Sequence, residues 1–377
     1  MGHRVLFCTL GYAPEPAGGA ERQAQLQADA LTRRGHDVTV VCATLIGMKS
    51  GRVGDVQVDR LRTFDVRRLP YVRHLVYALS LIVYLLLSVR RYDVVHVHLA
   101  NYQADIAVVI AKLFGRPVYV KIAAGGFRGD IDRMSGIARL TRRRGLRGAA
   151  RVQAISREIA EEVRALGIPE QRIVAIPNGI ELEPFQSMVA APDARAQLDL
   201  PPEQLLVLFQ GRFAAYKGVP DLLVAWPILD APDASLLFVG ELATDEPLAR
   251  VPQGDRVIVH GWTDRPRHYL AAADVFVLPS LAEGMSNALL EAMASGLAVV
   301  ATRVGAADQM IEDGVDGLLV DAGDAVGLAG ALGRLLDDAA LRQRLGDAAA
   351  QTVRERYGIS VVVDQIEEQY EHLINDA

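Results

Sequence analysis

The sequence predicts an α/β protein of two Rossmann-like domains, each a parallel sheet covered by helices, facing each other across a cleft. Three observations carry this expectation. Short apolar runs of strand length alternate throughout with amphipathic stretches of helix length. The alternation begins twice in the same way, as strand, loop and helix: once at RVLFCTLGY and again at LLVLFQGRF. The 377 residues are enough chain for two separate cores.

In chain order, RVLFCTL, DVTVVCA, DVVHVH, PVYVKIA, RVQAIS and RIVAIP read as strands of the first domain, with helices such as AERQAQLQADALTRRG between them. GIELEPFQSMVAAPDARAQLDLPPEQ is rich in Pro and Ala and has no clear period, so it reads as the crossing between domains. This sets the first domain at 1–185 and the second at 186–358. LLVLFQG restarts the pattern, and SLLFVG, RVIVHG, DVFVLP, AVVAT and GLLV complete a second sheet. One stretch departs from the plan. Residues 75–89 carry no charge and are bracketed by Arg73 and His74 before and Arg90 and Arg91 after. A membrane span needs about 20 apolar residues, so the stretch reads first as a helix largely buried between strands. The alternative is an interfacial helix dipping into lipid, for which the basic flanks and the basic run 141–151 speak.

Composition narrows the class. With 51% apolar and 23% charged residues the chain is ordinary globular material rather than disordered or fibrous. Cys8 and Cys42 both fall on apolar strand-like runs, where they act as small core residues, and this fits a reducing cytoplasm. The start, MGHRVLFCTLG, reads as a first core strand and not as a signal peptide. Charge divides unevenly: residues 1–185 hold 27 Lys and Arg against 17 Asp and Glu, whereas 186–377 hold 13 against 29. The basic first half is suited to an anionic surface, such as a membrane leaflet or a phosphorylated acceptor. Nucleic acid is excluded as a partner, because the whole chain is acidic and carries no recognition motif.

The most informative stretch is VFVLPSLAEGMSNALLEAMASGLAVVAT, residues 275–302. An apolar strand runs into a polar loop, a helix starting near Ser286 and a second buried strand. The first N–H groups of such a helix favour an anion such as a diphosphate. Glu283 in the loop then lies at the phosphate end, and Glu291, eight residues on, can reach ribose hydroxyls. That arrangement suits a nucleotide-sugar. The loop at 210–218 offers the cations: Arg212 and Lys217 follow a strand, and Lys217 is one of only 4 Lys beside 36 Arg. Near the N-terminus, Gly18 and Gly19 precede a long helix and allow a ligand close to the backbone. No G-x-G-x-x-G is present there, which weighs against a nicotinamide dehydrogenase.

EGMSNALLEAMASGLAVVAT closely resembles the Glu-x7-Glu signature of the family-four retaining glycosyltransferases, which have the two-domain GT-B fold. GYAPEPAGGAERQ, YDVVHVH and QGRFAAYKG match that family in the same order, so the resemblance covers nearly the whole chain. It implies metal-independent, hexosyl-type transfer from a nucleoside-diphosphate sugar with retention of configuration, with UDP the expected nucleotide. Arg212 and Lys217 then bind the diphosphate. Glu283 contacts hydroxyls of the donor sugar and Glu291 those of the ribose. Backbone amides of Gly284, Met285 and Ser286, with Asn287 beside them, complete the phosphate cradle, and Gly18 and Gly19 belong to the donor site too. Thr263 and Asp264 are placed near the base. The resemblance also implies that the last helix, within 359–377, crosses back onto the first domain. No cofactor or metal is expected, and Asp130 with Asp132 reads as a helix cap.

One departure stands out. Relatives carry a His after the PVYV-type strand, and Ala123 holds that place here. His98, Asn101, Lys121 and Asp130 are the polar groups left on the acceptor side, with Gly125 and Gly126 in the same loop. A lipid-linked or cell-surface glycan acceptor is expected, at the cytoplasmic side of the membrane. The alternatives are glycosylation of a small natural product, an epimerase or phosphorylase on the same fold, and a non-catalytic nucleotide-sugar-binding protein.

Overall fold

Parallel strands cannot be joined by a tight turn, so each pair needs a crossover, and the helices that make the crossovers cover the sheet. In the computed structural model, which describes residues 2–14, 18–44, 48–63, 70–123, 137–241 and 256–376, this happens twice. The chain divides into two compact units, Met1–Gly179 together with Ile359–Ala377, and Ile180–Gly358.

The first unit contains β1 (Arg4–Cys8), α1 (Gly19–Arg33), β2 (Asp37–Thr44), β3 (Gly51–Val53), β4 (Val56–Arg62), α2 (Pro70–Ser88), β5 (Val94–His98), α3 (Tyr102–Leu113), β6 (Val118–Ile122), α4 (Ile137–Gly148), β7 (Arg151–Ala154), α5 (Arg157–Ala165) and β8 (Ile173–Ala175). Its strands lie in the order β3-β4-β2-β1-β5-β6-β7-β8. All pair in parallel except the β3–β4 hairpin at the edge. Residues on both faces of β1, β5 and β6 are buried, as expected of strands covered on two sides. Cys8 and Cys42 are buried free thiols in this core, and burial pushes the Cys8 thiol up to about 12. The edge hairpin was not legible in the sequence because its inward row is Val56, Val58 and Arg60. The Arg60 guanidinium is buried and donates to the carbonyls of Tyr12 and Ala13 and to the Cys42 sulfur.

The second unit contains α6 (Glu183–Gln186), α7 (Ala191–Gln197), β9 (Leu205–Gln210), α8 (Val219–Ile228), β10 (Ala234–Val239), β11 (Val257–His260), α9 (Pro266–Ala272), β12 (Val275–Leu278), α10 (Asn287–Ala294), β13 (Ala298–Thr302), α11 (Ala307–Met310), β14 (Leu318–Val320), α12 (Ala325–Asp337) and α13 (Ala339–Arg356). Its sheet is wholly parallel, in the order β11-β10-β9-β12-β13-β14. The helices begin where the sequence supplies caps: Ser286, Asp324 and Asp338 each accept a backbone N–H three residues on.

Two expectations need correction. The segment read as an interdomain crossing folds instead as α6 and α7 within the second unit, where α7 packs on α9. The unit boundary accordingly lies at Gly179–Ile180, ahead of 185, because the buried Gln23 side chain bonds both the N–H and the carbonyl of Gly179 and holds it in the first unit. The uncharged stretch 75–89 is helical but not largely buried: Leu75, Leu79, Val83 and Leu87 face solvent.

The last helix, α14 (Ile359–Asn375), belongs to the first unit. Val362, Val363, Ile366 and Tyr370 join the core formed by α1 and the β1–β2 region. Arg34 bonds Asp364 and Glu367 at the rim, and His36 Nε2 lies 2.7 Å from Glu367.

In the second unit, the buried Arg195 of α7 donates to Asp274 at 2.7 Å and to the carbonyls of Ala272, Pro202 and Gln204. Arg195→Ala would leave Asp274 with the Leu206 N–H but no cation, and take this donor from three carbonyls at once. It should cost about 3–5 kcal/mol in urea unfolding. A loss below about 1 kcal/mol would show that this network contributes little.

Candidate functional site

In open parallel sheets, ligands bind beyond the carboxyl ends of the strands, at the point where strand order reverses. The second sheet reverses between β9 and β12, and the first between β1 and β5. The expected donor residues follow β9 and β12, while Gly18, Gly19, His98 and Asn101 follow β1 and β5.

After β9 the chain makes a short 3-10 turn, Ala215–Lys217, and enters α8 through Gly218 at φ +69°. A Cβ on Gly218 would lie 1.7 Å from the Pro279 carbonyl oxygen, so only glycine fits. Leu281 N–H donates to the Tyr216 carbonyl at 2.8 Å, tying this loop to the one after β12. Across the seam, Lys217 Nζ meets Glu283 Oε1 at 2.5 Å, and Ser280 Oγ donates to the same oxygen at 2.8 Å. Both partners of the ion pair are mostly shielded, with 19% and 11% of their side-chain surface exposed. Charge-assisted bonds of this kind are roughly twice as strong as neutral ones.

The β12–α10 loop is held from its other side as well. A Cβ on Gly305, at φ +60°, would lie 2.5 Å from the Glu283 carbonyl oxygen and 2.6 Å from that of Gly284, and Ala306 N–H donates to the Gly284 carbonyl at 2.9 Å. Thr302 Oγ1 donates to the Ser280 carbonyl at 2.5 Å. Ser286 caps α10 by accepting from Leu289 N–H at 3.3 Å, which puts the positive end of that helix dipole beside Gly284, Met285 and Asn287. Glu291, one turn into α10, accepts from Gln210 Nε2 at 3.2 Å. The two acids are thereby attached to the two ends of one loop, Glu291 through Gln210 and Glu283 through Lys217. Arg212 is exposed in the same loop. Sequence reasoning missed Gln210, Ser280, Gly218 and Gly305. The glycines carried a signal, since each breaks an otherwise regular strand–loop–helix junction. Thr263 accepts from Arg265 N–H in an exposed turn before α9, with Asp264 beside it.

In the first unit, Gly18 is the extended residue that opens α1, and Gly19 begins the helix. Glu21 already sits in that first turn, and a Cβ on Gly18 would touch its carboxylate at 2.9 Å. Asn101 caps α3, accepting from Gln103 N–H at 2.8 Å. Leu99, just before it, has φ +83°, an uncommon and strained conformation for a branched aliphatic residue.

His98 and Lys121 are register partners on β5 and β6, and both are buried. The His98 ring stacks on His96 with centroids 4.3 Å apart, and Phe7 packs against both. His96 Nδ1 lies 2.5 Å from the Tyr370 hydroxyl of α14. Among the described residues, neither His98 nitrogen has a hydrogen-bond partner, nor does Lys121 Nζ. The structure therefore brings His98 and Lys121 together in a polar cluster inside the first unit. Asp130 lies outside the described residues, as do Gly125, Gly126 and Asp132.

Two doubly wound parallel units of this kind define the GT-B class of fold. HepE of Anabaena, solved with UDP, has that fold and superimposes with a TM-score of 0.77 at 18% identity, covering 98% of this chain and 100% of that one. Residues 18–179 match the profile described as "Glycosyl transferase 4-like domain", and 204–338 match "Glycosyl transferases group 1". The chain belongs to the group 1 glycosyl transferase family. The lipopolysaccharide core biosynthesis glycosyltransferase LpsD of Rhizobium meliloti is 34% identical over 219 residues, 56% of this chain and 60% of that protein, so the chain spans less than two thirds of that relative's length. UDP-Gal:alpha-D-GlcNAc-diphosphoundecaprenol alpha-1,3-galactosyltransferase of Escherichia coli is 25% identical over 380 residues, 93% of each chain.

The buried basic cluster sets a pH dependence. Burial lowers Lys121 to about 7, and burial followed by neighbouring charge holds His96 and His98 well below the usual histidine range. Between about 7 and 10.5 the unfolded chain keeps a proton on Lys121 that the folded chain has released. Stability from this group therefore rises with pH across that window, by about 1.4 kcal/mol per pH unit. The histidines act in the same direction lower down, where stability falls as pH drops below 6.5. Lys121→Met should raise the urea midpoint at pH 7, and its advantage over the unaltered chain should shrink as pH rises toward 10. An advantage that stays constant with pH would show that Lys121 is charged in the folded chain.

Proposed function

We propose that this protein is a retaining glycosyltransferase that moves a hexosyl group from a nucleoside-diphosphate sugar, UDP being the expected nucleotide, to a lipid-linked or cell-surface glycan acceptor. The observation that carries the reading is the shielded Lys217–Glu283 pair at the reversal point of the second sheet, next to the N-terminus of α10. Negative charge grows on the diphosphate as it leaves. Cations and N–H donors fixed beforehand stabilise that charge without reorganising.

In this reading the diphosphate draws Lys217 away from Glu283 and is met by Arg212 and the amides of Gly284, Met285 and Ser286, with Asn287 beside them. Glu283, still held by Ser280, is then free to accept from hydroxyls of the donor sugar. Glu291 accepts from the ribose hydroxyls, with Gln210 keeping its carboxylate in place. The bond from the sugar's anomeric carbon to the phosphate oxygen breaks, and the acceptor oxygen bonds to the same face. The acceptor proton passes to the departing diphosphate, which answers for the missing His at Ala123. No metal enters this scheme, because Arg212, Lys217 and the helix terminus supply the positive charge. In the first unit, Gly18 and Gly19 remain the expected donor-side groups and Asn101 and Asp130 the acceptor-side ones, while His98 and Lys121, both buried, are not placed to touch an acceptor.

Support for the acceptor comes from the relatives, one described by lipopolysaccharide core biosynthesis and one by a diphosphoundecaprenol-linked sugar. Support for the nucleotide comes from the UDP complex of HepE and the UDP-Gal donor of the E. coli relative. With such an acceptor, the proposed reaction runs at the cytoplasmic face of a membrane.

Calorimetry with UDP, GDP and ADP, without added metal, tests the donor site. One nucleotide should bind, and Lys217→Ala should abolish the binding. The same variant should lower turnover about 10²–10³-fold. Equal binding by the variant, or no binding of any nucleotide to the unaltered chain, would refute the assignment of Lys217. Glu291→Gln should weaken nucleotide binding about tenfold, the size of one charge-assisted hydrogen bond.

A further inference from the structure

The outward face of α2 is made of side chains that water disfavours. Tyr77, Leu81 and Leu85 recur every four residues and are buried against the unit. On the opposite side Leu75, Leu79, Val83 and Leu87 recur at the same spacing, and each is more than half exposed, Leu87 to 76%. The neighbouring helix α3 lies alongside in the same direction. His74 of α2 bonds Tyr102 at one end, and Arg116, just beyond α3, bonds the Arg90 carbonyl at the other. It adds Val109 and Leu113, the latter 73% exposed. A single exposed leucine needs no explanation, but six aliphatic side chains on two adjacent helices do.

Charge says what covers them. Residues 70–92 contain no Asp or Glu. At the end of this face Arg90, Arg91 and Lys112 are exposed, and the Arg90 guanidinium sits 4.5 Å over the Phe114 ring. A second copy of the chain docked through the same helix would offer these cations no opposite charge, since its 70–92 carry no acid either. An anionic leaflet brings them the opposite charge and offers acyl chains to the leucines. The helix cannot leave the unit to span a bilayer. Its inner face is pinned by the Tyr77 hydroxyl donating to the Thr9 carbonyl at 3.2 Å and by the Tyr84 hydroxyl donating to Asp59 at 2.7 Å.

We propose that the outer face of α2 and α3 docks the protein on an anionic phospholipid surface, with α2 lying in the plane of the leaflet. Leu75, Leu79, Val83 and Leu87 enter the boundary of the acyl region, and Arg90, Arg91 and Lys112 meet lipid phosphates. The surface stands on this geometry alone; only its purpose, bringing the enzyme to a lipid-linked acceptor, rests on the function proposed above.

Sedimentation with sucrose-loaded vesicles tests it. The protein should pellet with phosphatidylcholine vesicles containing phosphatidylglycerol, much less with phosphatidylcholine alone, and less as salt is raised. A Leu79→Glu, Leu87→Glu variant and an Arg91→Glu, Lys112→Glu variant should each bind at least about tenfold more weakly, with unchanged melting curves because the altered side chains are exposed. The proposal is overturned if the unaltered chain stays in the supernatant at low salt, or if the leucine variant pellets as well as it does. It is also overturned if sedimentation velocity shows a dimer that the leucine variant dissolves while vesicles are ignored. Calorimetry with UDP on the same samples separates the two readings. With GDP and ADP run beside UDP, vesicle binding without binding of any nucleotide supports the surface and sinks the donor site proposed above, and nucleotide binding without vesicle binding does the reverse.

Discussion

The chemistry assigned to the second unit depends on two loops being held against each other at the reversal point of its sheet. The contact of Gly218 with the Pro279 carbonyl brings them together, and the Leu281–Tyr216 bond fixes their register. The Lys217–Glu283 pair then joins a cation on one to an acid on the other. Without this seam the ammonium would sit on a solvated loop with a screened charge worth little. With it, the charge is shielded and aimed, which is what stabilising a leaving diphosphate requires. Gly305 and Thr302 brace the same loop from the β13 side, so three consecutive strand ends share the task of placing one carboxylate.

The two sheets use the same architectural position differently. In the second, the strand ends at the reversal point present charged side chains that answer one another. In the first, β5 at the reversal point and its neighbour β6 carry His96, His98, Tyr119 and Lys121 into the interior. Burial there works against charge: it holds His96 and His98 well below the usual histidine range and lowers Lys121 to about 7. The first unit thus keeps its positive character on the surface, in the arginines of its helices, and its titratable nitrogens inside.

Much of this was legible in the residues. Parallel strands under helices are continuous apolar runs, which is why β1, β2 and β5 to β14 could be read one by one. The Lys217 and Glu283 positions stood out because a rare residue type and an acid each followed such a run. The edge hairpin was not legible, since its buried row ends in Arg60, whose partners are backbone carbonyls distant in sequence. Nor was Arg195, whose carbonyl and carboxylate partners gather only once the chain has folded. The exposure of α2 escaped for a related reason. An uncharged helix has no polar face to reveal which side is out, so periodicity alone gave no orientation.

The membership of α14 in the first unit has a consequence for synthesis on the ribosome. The core of that unit is lined by Val362, Val363, Ile366 and Tyr370, which emerge after the whole of the second unit. Residues 180–358 can therefore collapse as they appear, while the earlier sheet waits with the surface over α1 uncovered. The part made first is the part finished last, and the nascent chain must keep that apolar face from other partners until its final turns arrive.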